Sequence, residues 1–136
     1  MRRVVNNPFG TSKLTRTSTP KIEVPPAPRR LDFERLLCDA IAKEKLVSLK
    51  YPGDIRAREF EPGVVFHSSK NRDKINVGGC QIINPNEIGE NMTPHYFEVG
   101  KIVSLTVTDK PFVVRERIDI FDARYANGII CYFKKG

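Results

Sequence analysis

The chain of 136 residues contains no tryptophan and only three cysteines. Cys38, Cys80 and Cys131 stand far apart, with no C-x-x-C pair and no histidine at ligand spacing, which argues against a zinc site. An odd count without a signal peptide reads as three small buried thiols in a reducing cytoplasm. Long apolar runs are also missing. Nothing approaches the ~20 residues needed to cross a bilayer, and Met1-Arg2-Arg3 is followed by Asn, Pro and Gly rather than by an apolar h-region. The expectation is a non-secreted, cytoplasmic protein without a membrane partner.

Catalytic signatures are equally scarce. The sequence has no G-x-S-x-G, no H-E-x-x-H, no phosphate-binding Gly-rich loop and no dinucleotide fingerprint. His67 and His95 are its two histidines. A Cys–His dyad would need Cys80 or Cys131 exposed beside one of them, whereas strand cysteines are usually inert core. Glu59 and Glu61 share one face of a strand, a spacing ordinary on solvated strands. These absences point to a non-enzymatic chain with no catalytic residues, no metal and no cofactor.

What is present fits one domain with a tail. The chain is 40% hydrophobic, enough for a core, and its ten prolines and nine glycines favour turns and short strands. The net charge of +7 is unevenly placed. Arg2, Arg3, Lys13, Arg16, Lys21, Arg29 and Arg30 face Glu23 alone in the first thirty residues, and the remainder is close to neutral. Basicity therefore belongs to the arm, not to the surface of a basic nucleic-acid-binding domain. Residues 1–30 read as a flexible basic arm that ends in a stiff Pro25-Pro26-Ala27-Pro28 link. Within it, Lys21-Ile22-Glu23-Val24 could pair as a short strand if the arm docks.

Order is expected from Leu31, so the folded domain spans residues 31–136. Phe33, Leu36, Leu37, Ala40 and Ile41 fall at the spacing of an amphipathic helix with Asp32 as N-cap, running to Lys43 or Glu44. One helix without a second across a tight turn cannot read DNA as a helix-turn-helix does. The period then changes to 2. Val47, Leu49 and Tyr51 form a strand, Pro52-Gly53-Asp54 a turn, and Ile55–Glu61 a return strand with Arg56 and Arg58 on one face. Pro62-Gly63 should bend the chain, and a polar turn over residues 68–73 leads to a strand from Ile75. Its Gly78-Gly79 pair suggests a bulge or a close backbone approach. After a polar loop over residues 84–94 come strands over residues 95–99 and 102–107, a turn at Ala126-Asn127-Gly128, and a final strand from Ile129 to Phe133. Five or six short strands after one helix, without βαβ spacing, predict a mainly β (α+β) fold. Its form would be a small, curved antiparallel barrel.

The chemistry concentrates in Tyr51-Pro52-Gly53-Asp54-Ile55-Arg56-Ala57-Arg58. Paired guanidinium groups beside a tyrosine can grip phosphate; equally, the same run fits a solvated face laced by Asp54, Glu59 and Glu61. Ala40-Ile41, the strand ending at Tyr51, Arg56, Arg58, Glu61-Pro62 and Val65-Phe66-His67 resemble the opening of a WYL domain, the Sm-like, SH3-type barrel of bacterial and phage regulators. Ile75-Asn76-Val77-Gly78-Gly79 is similar to the strand that carries that family's name motif. The run His95-Tyr96-Phe97-Glu98-Val99-Gly100-Lys101-Ile102 is similar to its closing signature. The resemblance covers roughly residues 36–112.

It implies a pocket for an anionic ligand, a nucleotide or single-stranded nucleic acid, with Tyr51, Arg56, Arg58, His67, His95 and Lys101 as contacts. Lys101 and His95 stand where arginine is usual, and Ile75-Asn76 replaces the aromatic pair. A different class of function also fits the pattern: a structural or interaction protein that self-associates or pairs with a partner through barrel edges and the Ile129–Phe133 run.

Overall fold

The computed structural model describes residues 25–89 and 91–134. Among the described residues, one helix, α1 (Leu31–Lys43), precedes six strands: β1 (Lys45–Lys50), β2 (Arg58–His67), β3 (Ile75–Ile83), β4 (Thr93–Glu98), β5 (Ser104–Pro111) and β6 (Ile129–Tyr132). All pairings are antiparallel, and the sheet runs β4-β3-β2-β1-β5, with β6 paired to the far half of β2. The mainly β fold with one N-terminal helix is therefore present.

The sheet is not closed into a barrel. Residues Val99–Lys101, which join β4 to β5, form a 3-10 turn. The chain is thereby carried past the edge of β4 to the far edge of β1, and no ladder joins β4 to β5 among the described residues. Irregular register in the β1–β5, β2–β3 and β2–β6 ladders bends the strands instead.

Helix α1 buries Phe33, Leu37, Ala40 and Ile41 against β1, β2 and β5, each large side chain stabilising by roughly 1.5–3 kcal/mol. Leu36, on the expected stripe, is exposed. Arg30 occupies the N-cap position without a side-chain cap bond. Asp32 lies in the first turn, where its carboxylate accepts both ends of the Arg30 guanidinium. The helix ends at Glu44, whose left-handed backbone (φ 56°) lets its N–H reach the carbonyls of Ala40 and Ile41.

Pro62-Gly63 does not turn the chain. Both residues lie inside the ten-residue β2, at a bulge where Pro62 faces Gly79 and Val64 faces Gly78. Proline is tolerated there because a bulge frees its missing N–H from the ladder. The glycine pair opposite is a close approach: a Cβ on Gly79 would lie 2.0 Å from the Glu61 carbonyl, and one on Gly78 2.5 Å from the Tyr96 ring.

Contacts with the sheet extend upstream of Leu31. Residues 25–30 lie across the 3-10 turn, with the Ala27 N–H donating to Glu98 Oε2 at 2.8 Å and Pro28 O against Gly100. The suggested strand at residues 21–24 lies outside the described residues, as does most of the arm.

The cysteine expectation is overturned for two of the three. Cys38 of α1 and Cys131 of β6 form a disulfide with Cα atoms 5.8 Å apart. The fold lays β6 beside the helix, a proximity that spacing along the chain does not reveal. Cys80 is a buried free thiol.

Candidate functional site

The sequence places the end of β1, the start of β2 and the whole of β4 at one corner of the sheet, and their side chains meet on Phe97. Tyr51 follows β1 and enters a turn in which Asp54 N–H donates to Tyr51 O at 3.0 Å and Gly53 takes φ 93°. Pro52 followed by a positive-φ glycine is the pattern of a type II turn. That turn delivers Asp54 back toward the strand, where Arg58 opens β2.

Arg58 Nε and Nη2 donate to the two Asp54 oxygens at 2.7 Å each, and Nη1 donates to Gln81 Oε1 at 2.8 Å. The pair is largely dry, with side chains 13% and 5% exposed. Burial alone would push the Asp54 carboxyl up. The Arg58 hydrogen bonds, the Tyr51 N–H and the charges of Arg58 and Lys50 outweigh it and hold the group below the usual carboxylate range. The same hydrogen bonds raise Arg58 against the opposing effect of burial.

Three of the six residues named from the sequence converge on one ring. Phe97 has Tyr51 at 5.1 Å, the Arg58 guanidinium at 5.2 Å and His95 stacked at 5.9 Å. Lys101 joins indirectly. Glu98 N–H donates to Tyr51 Oη at 3.2 Å, and the buried Glu98 carboxylate has Lys101 Nζ at 3.6 Å and Lys74 Nζ at 4.0 Å.

Arg56 does not share a strand face with Arg58, because β2 begins only at Arg58. It lies on a loop clamped from outside: Asn86 Oδ1 accepts the N–H groups of Ile55 and Arg56, and Asn86 Nδ2 donates to Arg56 O. The Arg56 side chain is exposed beside an open hollow of about 300 Å³, lined also by Gly53, Ile55, Pro85 and Asn86.

His67 is not part of this corner. It ends β2, nine residues from Arg58 and so about 30 Å further along the strand. There its Nδ1 is 2.8 Å from Arg72 O.

Sequence reasoning named Asp54 among the carboxylates lacing this run but missed that it is buried against Arg58, and it missed Gln81 as a further acceptor for Arg58 and Glu98 as the carboxylate beneath Lys101. The i,i+4 spacing of Asp54 and Arg58 is a usable signal for the first. Nothing local marks the other two, which depend on strand register. Glu61 was also misread as solvated. It is buried and accepts the N–H groups of Val113, Val114 and Arg115 at 2.5–3.0 Å. Neither cysteine of the considered dyad offers a thiolate: Cys131 is oxidised, and burial, reinforced by Glu61 and Glu116, pushes the Cys80 thiol up.

No family model matches the chain, and no curated protein matches it in sequence. Among the described residues, no helix is long and apolar enough to cross a membrane.

Proposed function

We propose that the chain is a non-enzymatic, WYL-like binding module that recognises an anionic ligand, a nucleotide or single-stranded nucleic acid, at the sheet corner built on Phe97. The observation that carries this reading is the convergence of Tyr51, Arg58 and His95 on one ring, with Arg56 exposed on the loop that leads into Arg58. On this reading the bent, open sheet is a relative of the Sm-like barrel that has lost closure.

The roles of the arginines divide. Arg58 is neutralised by Asp54 and acts as a positioning residue that fixes the turn. Arg56, engaged by no ion pair among the described residues, is the cation that meets phosphate. Lys101 is screened by Glu98 and contributes less. The basic arm adds sequence-independent phosphate contacts, and its root lies on Glu98 beside this corner. The disulfide weighs against the cytoplasmic setting expected from composition, since cytosolic disulfides are rare and commonly redox-responsive.

Fluorescence anisotropy of the full chain with a labelled single-stranded oligonucleotide, at two salt concentrations, tests the assignment. Affinity should fall with salt. Arg56→Ala should weaken it about tenfold, the loss of one charge-assisted contact. Alanine at Arg2, Arg3, Lys13, Arg16 and Lys21 should weaken it while leaving the Arg56 effect in place. Unchanged affinity for Arg56→Ala at both salts would remove the corner as the binding site.

A second reading, pairing with another chain through β6, is favoured by one observation. Among the described strands with one free edge, β4 and β5 carry proline and β6 carries none.

A further inference from the structure

We propose that Cys38–Cys131 is a reversible redox latch that holds β6 on the sheet, and that a dithiol reductant opens it. This inference is independent of the ligand assignment above.

Strand β6 is the most weakly held element of the sheet. It has four residues, pairs among the described residues with Val64, Val65 and Phe66 of β2, and its register shifts within that short ladder. Flanking bonds add one link at each end: Phe133 N–H donates to Gly63 O at 2.7 Å, and His67 N–H donates to Gly128 O at 2.9 Å. The disulfide adds a covalent tie from the middle of this strand to α1, closing a loop over 93 residues of sequence. A cross-link has its greatest influence on a segment whose own contacts are few and whose closed loop is long.

The bond is also within reach of solvent. Both cysteines are only partly buried and line an open groove of about 520 Å³ between α1 and β6, together with Ile41, Ala42, Ile129 and Ile130. Exposed disulfides are the ones that thiols attack most readily. Cys80, in contrast, is buried away from this groove, so it does not compete as an internal attacking thiol.

The exchange balances as follows. A reductant thiolate attacks Sγ of one cysteine and forms a mixed disulfide, while the other sulfur leaves as a thiolate and takes up a proton. The reductant's second thiol then displaces the bound cysteine, closing the reductant's own disulfide. The protein gains two electrons and two protons, all supplied by the dithiol. Opening frees β6 from α1 and uncovers the edge of β2 at Val64–Phe66, residues that are buried in the oxidised form.

The test is hydrogen exchange of the full wild-type chain with and without dithiothreitol, in native buffer, with alkylation to count thiols. Dithiothreitol should make two cysteines per chain alkylatable while Cys80 stays protected. The Phe133 and His67 amides should exchange at least tenfold faster. The Val103 amide, bonded to Lys50 O at 2.8 Å where β5 starts beside the end of β1, away from β6, should keep its rate. Reoxidation should restore the first two. Resistance to native reduction, reduction without faster exchange at Phe133 and His67, or parallel loss at Val103 would each overturn the latch. The last outcome would make the bond a staple of the whole fold.

Discussion

Asp54 sits nearly buried against the guanidinium that neutralises it, and it also accepts the Tyr51 N–H at 3.0 Å. A carboxyl held below its unfolded value stabilises the fold above that value, near pH 4, and the contribution disappears as pH falls through the lower folded value. Urea unfolding at pH 7 and at pH 3 should therefore show Asp54→Asn as destabilised at pH 7. The variant should be closer to the parent at pH 3. A gap that is equal at both pH values would mean that the carboxylate charge is not what holds the turn. Arg58→Ala should cost more, on the order of 3 kcal/mol at pH 7, because it strands a nearly dry carboxylate and leaves Gln81 Oε1 without this donor. At this scale, side-chain identity was legible and partnership was not. Tyr51, Arg58 and His95 can be named from the sequence, yet their common contact, Phe97, emerges only once β4 lies beside β3 in the observed register.

The elements themselves followed local pattern closely, and the deviations have local causes. Helix α1 and the strands from Lys45, Ile75 and Ile129 match the change of apolar period from 3.6 to 2. β2 runs through Pro62-Gly63 because a bulge and the glycine pair of β3 accommodate it. No single-strand pattern contains that information, since each half of the device lies on a different strand.

The segment after β5 depends on a similar long-range contact. With few apolar anchors beyond Phe112, it is fastened by three backbone N–H groups on the Glu61 carboxylate, and Arg115 adopts φ 54° there. Glu61→Ala should destabilise the chain by about 3 kcal/mol, leaving those N–H groups without an acceptor. Glu61→Gln, which keeps one acceptor oxygen, should recover part of that loss. Thermal or urea unfolding reads both, and a Glu61→Ala variant as stable as the parent would show that the segment is held elsewhere.

For the whole molecule, an open sheet raises the problem of its edges, which are templates for pairing with other chains. β4 carries Pro94 and β5 ends in Lys110-Pro111, both features that blunt an edge. β6 lacks such protection but has only four residues. Light scattering on the full chain at high concentration should accordingly give the monomer mass of 15.5 kDa. A species of twice that mass, abolished by proline at Ile130, would instead favour the interaction reading through β6. The disulfide acts at this scale too: closing a loop of 93 residues is worth about 4.7 kcal/mol in the chain-entropy account.

By itself, the sequence determined the helix, the alternating strands, the turns at Gly53 and Gly128, and the concentration of basic charge in the arm. Each of these depends on residues close together in the chain. Tertiary structure alone decided that the sheet stays open, that Cys38 meets Cys131, that Gln81 anchors Arg58, and that Glu61 turns inward. All four require register and packing between segments distant in sequence, whose energies arise only once the strands are placed side by side.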